Sequence, residues 1–166
     1  MCRLAILLAS LLLAGCGGDK VAPPAVDGEP FAKAFEMRLD GKMLLARVAV
    51  TETEKSQGLM GVSAAADQGM LFVYGSDTHA RFWMKDTPSD LDIGFFDREG
   101  RLLSVATMRA YDTDVTDAGS DRVRFALEMR AGWFSQSGMR EGAKLELYDV
   151  VNALRARGFN PTKLGL

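Results

Sequence analysis

The run Phe35-Glu36-Met37-Arg38-Leu39-Asp40-Gly41-Lys42-Met43-Leu44-Leu45-Ala46-Arg47-Val48-Ala49-Val50 reads as two strands around a turn. Phe35, Met37 and Leu39 alternate with Glu36 and Arg38, a period of two that lays apolar groups on one face of a strand. Asp40-Gly41 is a dipeptide able to take the positive φ of a tight hairpin, and residues 43–50 follow as the second strand. Immediately downstream, Thr51 with Glu54 three residues later forms a capping-box pattern for a short helix that Gly58 ends. Segments 69–74, 80–85, 91–96 and 101–107 read as further strands, the last two joined through Asp97-Arg98-Glu99-Gly100. Residues 124–129 and 144–148 complete the set. Asp149 is positioned to cap a C-terminal helix in which Val150, Val151 and Leu154 share a face, and Gly158 stops it. Alternation of strands with long helices, the mark of a doubly wound parallel sheet, is missing. The expectation is a mainly β fold: a compact antiparallel sandwich or partly open barrel with a few short helices.

Composition narrows the class of protein. A chain of 166 residues with 48% hydrophobic and 25% charged content suits one globular domain with a core. Its 20 basic and 22 acidic residues give a net charge of −2, which supplies neither a nucleic-acid footprint nor a basic lipid-binding surface. Both cysteines, Cys2 and Cys16, fall near the N-terminus. The β segments therefore contain no thiol for a disulfide, a zinc site or a nucleophile.

The N-terminal segment reads as an address. Arg3 supplies a positive charge, and residues 4–14 form an apolar run broken only by Ser10, the layout of a secretory signal. That run is shorter than the roughly 20 residues needed to cross a bilayer. It ends in Leu13-Ala14-Gly15-Cys16, which resembles the lipobox of bacterial lipoproteins, where the cysteine receives a diacylglyceryl group before cleavage in front of it. Residues 1–15 are thus expected to be a signal peptide and Cys16 the lipidation site. Several acyl chains give stable anchoring where one gives only marginal residence. The resemblance further implies an envelope protein facing the periplasm, and Gly17, in place of the Asp that commonly retains lipoproteins in the inner membrane, favours the outer membrane. Residues 16–30 read as a Gly- and Pro-containing tether spanning about 20 Å as a flexible coil. The β domain then covers 31–149, with a helix and tail at 150–166.

Four segments carry a second resemblance. They are Gly58-Leu59-Met60 with Gly69-Met70-Leu71-Phe72; Phe82-Trp83-Met84-Lys85-Asp86-Thr87-Pro88; Leu91-Asp92 running into Phe95; and Leu127-Glu128 with Ala131-Gly132. Together they resemble domain-of-unknown-function family 192, over about residues 34–149. The resemblance implies a compact, mainly antiparallel β fold and no established activity. The chain departs from the family pattern at Ser89, where many members have an apolar residue, and at Met108-Arg109-Ala110, which replaces a Pro-containing element.

Strand alternation over 80–85 puts Arg81, Trp83 and Lys85 on one face and Phe82 and Met84 on the other. An indole between two cations is a ligand platform: Trp stacks on sugars and other flat faces, while Arg and Lys grip anionic substituents. The plainer alternative is a surface cation–π ladder. Asp86, Asp90 and Asp92 gather around the following turn, with Glu128 approaching from a later strand. Paired carboxylates can divide acid and base roles in glycoside hydrolysis, and Asp92 with Glu128 is the candidate pair. Asp86 and Asp90, flanking Thr87-Pro88-Ser89, equally suit bonding of turn amides. A calcium site from the same oxygens lacks the regular spacing of a calcium loop. His79 is the only histidine, which rules out a histidine-rich zinc site and leaves a lone base, a single ligand or a solvated side chain. Met60, Met70 and Met84 offer soft sulfurs for Cu(I), or else core filling beside aromatic rings.

The sequence thus points to a membrane-tethered binding or accessory domain with no cofactor, no assigned catalytic residue and no metal set. Its pocket is expected near Arg81, Trp83, Asp86, Asp92 and Glu128, accepting a small polar ligand, a glycan or an envelope protein. An envelope hydrolase using Asp92 and Glu128 is the alternative, and copper handling the third reading.

Overall fold

The computed structural model describes residues 32–63 and 68–166, so the signal peptide, Cys16 and the tether read from the sequence lie outside the described residues. The elements are β1 (Phe35–Leu39), β2 (Lys42–Ala49), α1 (Glu52–Gln57), β3 (Gln68–Thr78), β4 (Arg81–Phe82), β5 (Leu91–Phe96), β6 (Leu102–Met108), β7 (Thr116–Asp117), β8 (Val123–Arg130), α2 (Trp133–Gln136) and α3 (Leu147–Ala156). A 3₁₀ turn over Pro161–Leu164 follows.

The hairpin forms as its sequence requires. Asp40 (φ 51°) and Gly41 (φ 78°) both take the positive φ of a two-residue turn, fixing the register Phe35↔Ala46 through Leu39↔Lys42. Six strands make one sheet in the order β1-β2-β3-β8-β5-β6, and β4 with β7 makes a small second sheet. The fold is mainly β, and among the described residues the sheet does not close into a barrel. One neighbour pair departs from the antiparallel expectation: β2 and β3 are parallel, Leu45 opposite Gln68 and Ala49 opposite Phe72. A parallel neighbour needs a crossover of a dozen or more residues, and the segment carrying α1 supplies it. The sheet is therefore mixed.

Both faces of the sheet are covered. On one, Leu71, Phe125, Leu127 and Met129 pack with Trp133 and Phe134 of α2 and with Val150, Ala153 and Leu154 of α3. On the other, Met70, Phe72, Ile93, Phe95 and Ala126 pack under Leu59, Phe82 and Met84. Every residue of β5 is buried, which accounts for the near-continuous apolar run Leu91–Phe96.

Two C-terminal expectations are corrected. Residues 144–148 are not a strand; Lys144 and Leu145 make only isolated bridges to Arg101 and Leu39. The helix starts three residues earlier than expected, at Leu147 rather than Val150, with Glu146 at its N-cap and no side-chain cap. Asp149 is instead drawn to Arg38, accepting from its Nε at 2.9 Å, its Nη2 at 2.8 Å and its backbone amide at 3.1 Å. The fork engages both carboxylate oxygens with a cation, where a cap bond would engage one oxygen with an amide. Beyond α3, buried Arg157 bonds the Val48 carbonyl and the Glu54 carboxylate. Glu54 also closes the capping box with Thr51 and accepts from the Val50 amide at 2.8 Å, so α1 is tied to both the sheet and the C-terminal helix.

Gly69 is fixed by close approach rather than by φ. A Cβ there would lie 2.0 Å from the Glu128 carbonyl oxygen and 2.4 Å from the Met129 sulfur. Gly69→Ala is expected to destabilise the fold by about 2 kcal/mol or more through overpacking against β8. Urea unfolding measures this, and an unchanged midpoint would contradict the packing described.

Candidate functional site

A pocket of about 310 Å³ lies over the second face of the sheet. Its floor comes from β3 and β8, one wall from α1 and the turn after it, and the other from the segment that leads into β4. The wall at β4 arises from an irregularity. Val73 pairs with Phe125, but the next pair is Thr78 with Val123, so β3 bulges away from β8 and carries Thr78 and His79 over the opening.

Glu128 lies at the floor. Across three strands Met70, Glu128 and Ile93 are partners, so the carboxyl stands on the face occupied by the second apolar cluster. It is 4% exposed, and its Oε2 has no hydrogen-bond partner among the described residues. Burial pushes the carboxyl up to about 8, because no cation or amide compensates the ionised form. At neutral pH Glu128 is therefore a carboxylic acid, able both to donate and to accept. Tyr74, on the same face, has its hydroxyl pushed up by burial first and then by Glu128 and Glu52.

The walls carry the charge. Lys55 Nζ lies 2.9 Å from Glu52 Oε1 and 4.6 Å from the Tyr74 ring centroid. Arg81 and Trp83 stand at the mouth, with Trp83 50% exposed and Lys85 Nζ 5.6 Å from its ring. His79 is held between Asp121 (Nδ1, 2.9 Å) and Asp117 (Nε2, 3.3 Å), which push its imidazole above the ordinary range. Deeper in, Phe72 and Phe82 meet edge to face with centroids 4.9 Å apart.

Three of the five residues expected at a ligand site, Arg81, Trp83 and Glu128, line this one pocket. The strand expected over 80–85 is regular only at Arg81–Phe82, yet its alternation persists: Arg81, Trp83 and Lys85 are exposed, Phe82 and Met84 buried. Asp86 and Asp92 do not line the pocket. Asp86 is an exposed turn residue at φ 55° whose carbonyl accepts from Gly61. Asp92 is buried and bonds the Thr107 hydroxyl and the Gly132 amide, both at 2.8 Å. Its partner across the sheet is Met129 whereas that of Glu128 is Ile93, so Asp92 and Glu128 project from opposite faces. The carboxylate pair considered for hydrolysis does not share a cleft. Asp90 accepts from the Ala110 amide at 2.7 Å, so its side chain ties this turn to a distant loop rather than bonding the amides of its own turn. Met70 and Met84 are buried in the apolar cluster, and of the three candidates Met60 alone lines this pocket. Among the described residues no group of three or more His, Cys, Asp and Glu side chains is placed to hold a metal.

Tyr74, Lys55 and Glu52 are site residues that sequence reasoning missed. Tyr74 continues the alternation of Met70 and Phe72, a signal that was present. Lys55 and Glu52 sit on the capped helix, whose position against the sheet no local pattern gives.

A mixed sheet with an acid-floored pocket on one face is the architecture to be placed among known proteins. The sequence model of domain-of-unknown-function family 192, described as "Uncharacterized ACR", matches residues 35–147, and the chain belongs to that family. Two crystal structures are similar. A Sinorhizobium meliloti protein described as a candidate transcription regulator has 30% identity and a TM-score of 0.64, over 72% of this chain and 97% of its own. A Novosphingobium aromaticivorans protein of unknown function has 26% identity and a TM-score of 0.63, over 76% and 94%. No curated protein matches by sequence.

The buried acid makes stability depend on pH with a definite sign. Glu128 holds its proton to about 8 in the folded chain and to about 4.5 when unfolded. Its contribution is complete below the lower value and is lost as pH rises through that window, at up to about 1.4 kcal/mol per pH unit. The stability difference between the native chain and Glu128→Gln, measured by denaturant titration from pH 5 to 9, is expected to move in favour of the variant as pH rises. A difference that stays flat would place a compensating charge beside Glu128.

Proposed function

We propose that this protein is a lipid-anchored binding domain of the bacterial cell envelope. Cys16 holds it to the membrane, by preference the outer one, with the pocket floored by Glu128 facing the periplasm and receiving a small polar ligand or the end of a glycan. The observation that carries the binding reading is the bare Oε2 of Glu128. An unpartnered buried carboxyl oxygen costs roughly 1–3 kcal/mol, and a ligand group that bonds it recovers that cost. The rings of Phe72, Phe82 and Trp83 line the hollow among a majority of polar side chains, so aromatic faces and hydrogen-bonding groups are offered together. Binding is favoured over the hydrolysis considered from the sequence because Asp92, the carboxylate that reading paired with Glu128, is spent on Thr107 and Gly132. The anchor reading is supported by the Leu13-Ala14-Gly15-Cys16 pattern behind an apolar run.

Mass spectrometry of the protein recovered from membranes is expected to find a mature chain that begins at Cys16 and bears acyl mass. A water-soluble product beginning elsewhere would overturn the anchor. For the pocket, thermal-shift measurements with monosaccharides are expected to raise the unfolding midpoint, by mass action worth about 2.7 kcal/mol at a hundredfold excess over Kd. Trp83→Ala and Glu128→Gln should each reduce that shift, and a shift unchanged in both variants would remove the pocket from the binding site.

A further inference from the structure

The pocket's charges select among polar ligands. Its floor is uncharged at neutral pH, since Glu128 keeps its proton in an apolar setting. Its lining holds Lys55 and Arg81 against the carboxylate of Glu52, with Asp117 outside the lining as the cross-strand partner of Arg81, so the lining carries an excess of cation above a neutral acid. Lys55 gives one Glu52 oxygen a 2.9 Å contact, and an ammonium has three donors, so its bonding capacity exceeds that single contact. Arg81 presents the planar fork that matches carboxylate or phosphate oxygens. His79, the remaining rim cation when protonated, is already engaged by Asp117 and Asp121.

These features complement different parts of one molecule. A protonated carboxyl both gives and takes a hydrogen bond, as a sugar hydroxyl does. The exposed Trp83 ring offers a face to a pyranose. At about 310 Å³ the hollow is at the lower end of the roughly 300–1,000 Å³ of small-molecule sites, which suits one ring rather than an oligosaccharide. An amino sugar would bring its charge among cations, and a neutral sugar would add no anion to the Arg81 fork beyond its cross-strand neighbour Asp117.

We infer that the pocket takes a single acidic sugar unit, free or at the end of a glycan, with a hydroxyl on Glu128 and a carboxylate or phosphate between Lys55 and Arg81. The inference rests on the reading of this pocket as the ligand site and adds the ligand's charge. Both anionic groups share the chemistry that Arg81 and Lys55 recognise.

Isothermal titration of the full chain in detergent with glucuronate, glucose 6-phosphate, glucose and glucosamine tests it. One or both acidic probes are expected to bind at least about tenfold more tightly than glucose, the least that one charge-assisted bond of about 1.5 kcal/mol confers, with glucosamine weakest. Comparison of the two acidic probes distinguishes carboxylate from phosphate. Arg81→Ala should bring the acidic probes down to the level of glucose. Because Arg81 is an exposed side chain, that variant is expected to fold. Equal binding of glucose and the acidic probes, a preference for glucosamine, or an acid preference that survives Arg81→Ala would overturn the charge assignment and leave the pocket as a binding site. No binding of any of the four at millimolar concentration would overturn both.

Discussion

Strand β8 is buried on both faces between β3 and β5, and this double burial organises the rest of the molecule. A strand in that position must send alternate side chains into two separate apolar clusters. Phe125, Leu127 and Met129 go to the helical side; Ala126 and Glu128 go to the side of the small sheet. Glu128 therefore points away from Asp92, into the face that carries the pocket. The backbone fixes which cluster it enters, and that cluster, lined by Phe72 and Phe95, fixes its protonation.

The two faces differ in how they are closed. On the helical side, Trp133, Phe134 and α3 seal the sheet with large apolar groups, Gly94 making room for the Phe134 ring, which an added Cβ would meet at 2.6 Å. On the opposite side the cover is a two-stranded ribbon and a six-residue helix with no buried residue of its own. The hollow exists because that cover is incomplete. The bulge in β3 widens it, since the chain that leaves the ladder after Val73 does not lie flat on the sheet.

Much of the sheet was legible in the sequence because a period of two is a local signal. The hairpin 35–50, the alternation of Arg81 and Trp83 against Phe82 and Met84, and the continuous run 91–96 all announce their faces without reference to other strands. The direction of β3 relative to β2 was not legible, because alternation is the same read either way. Register was equally hidden. Their spacing in the chain lets Asp92 and Glu128 meet, yet a pairing of Asp92 with Met129 sets them on opposite sides, and one residue of slip would reverse that. Asp149 looked like a cap because capping is local, and only the distant Arg38 reveals where its charge is used. Residues 144–148 alternated but found only single bridges, Lys144 to Arg101 and Leu145 to Leu39.

The helix α1 contributes one wall of the hollow while burying none of its side chains. Its attachments are ionic and amide contacts: Glu54 to Arg157 and to the amides of residues 50 and 51, and Lys55 over Tyr74. Floor and wall thus respond to different variables. Packing holds the floor and is indifferent to electrolyte, whereas the exposed part of the wall's tethering weakens as ions accumulate around it. In a compartment whose ionic strength follows the surroundings of the cell, the mouth of such a cavity would loosen or tighten with salinity while its base stayed fixed.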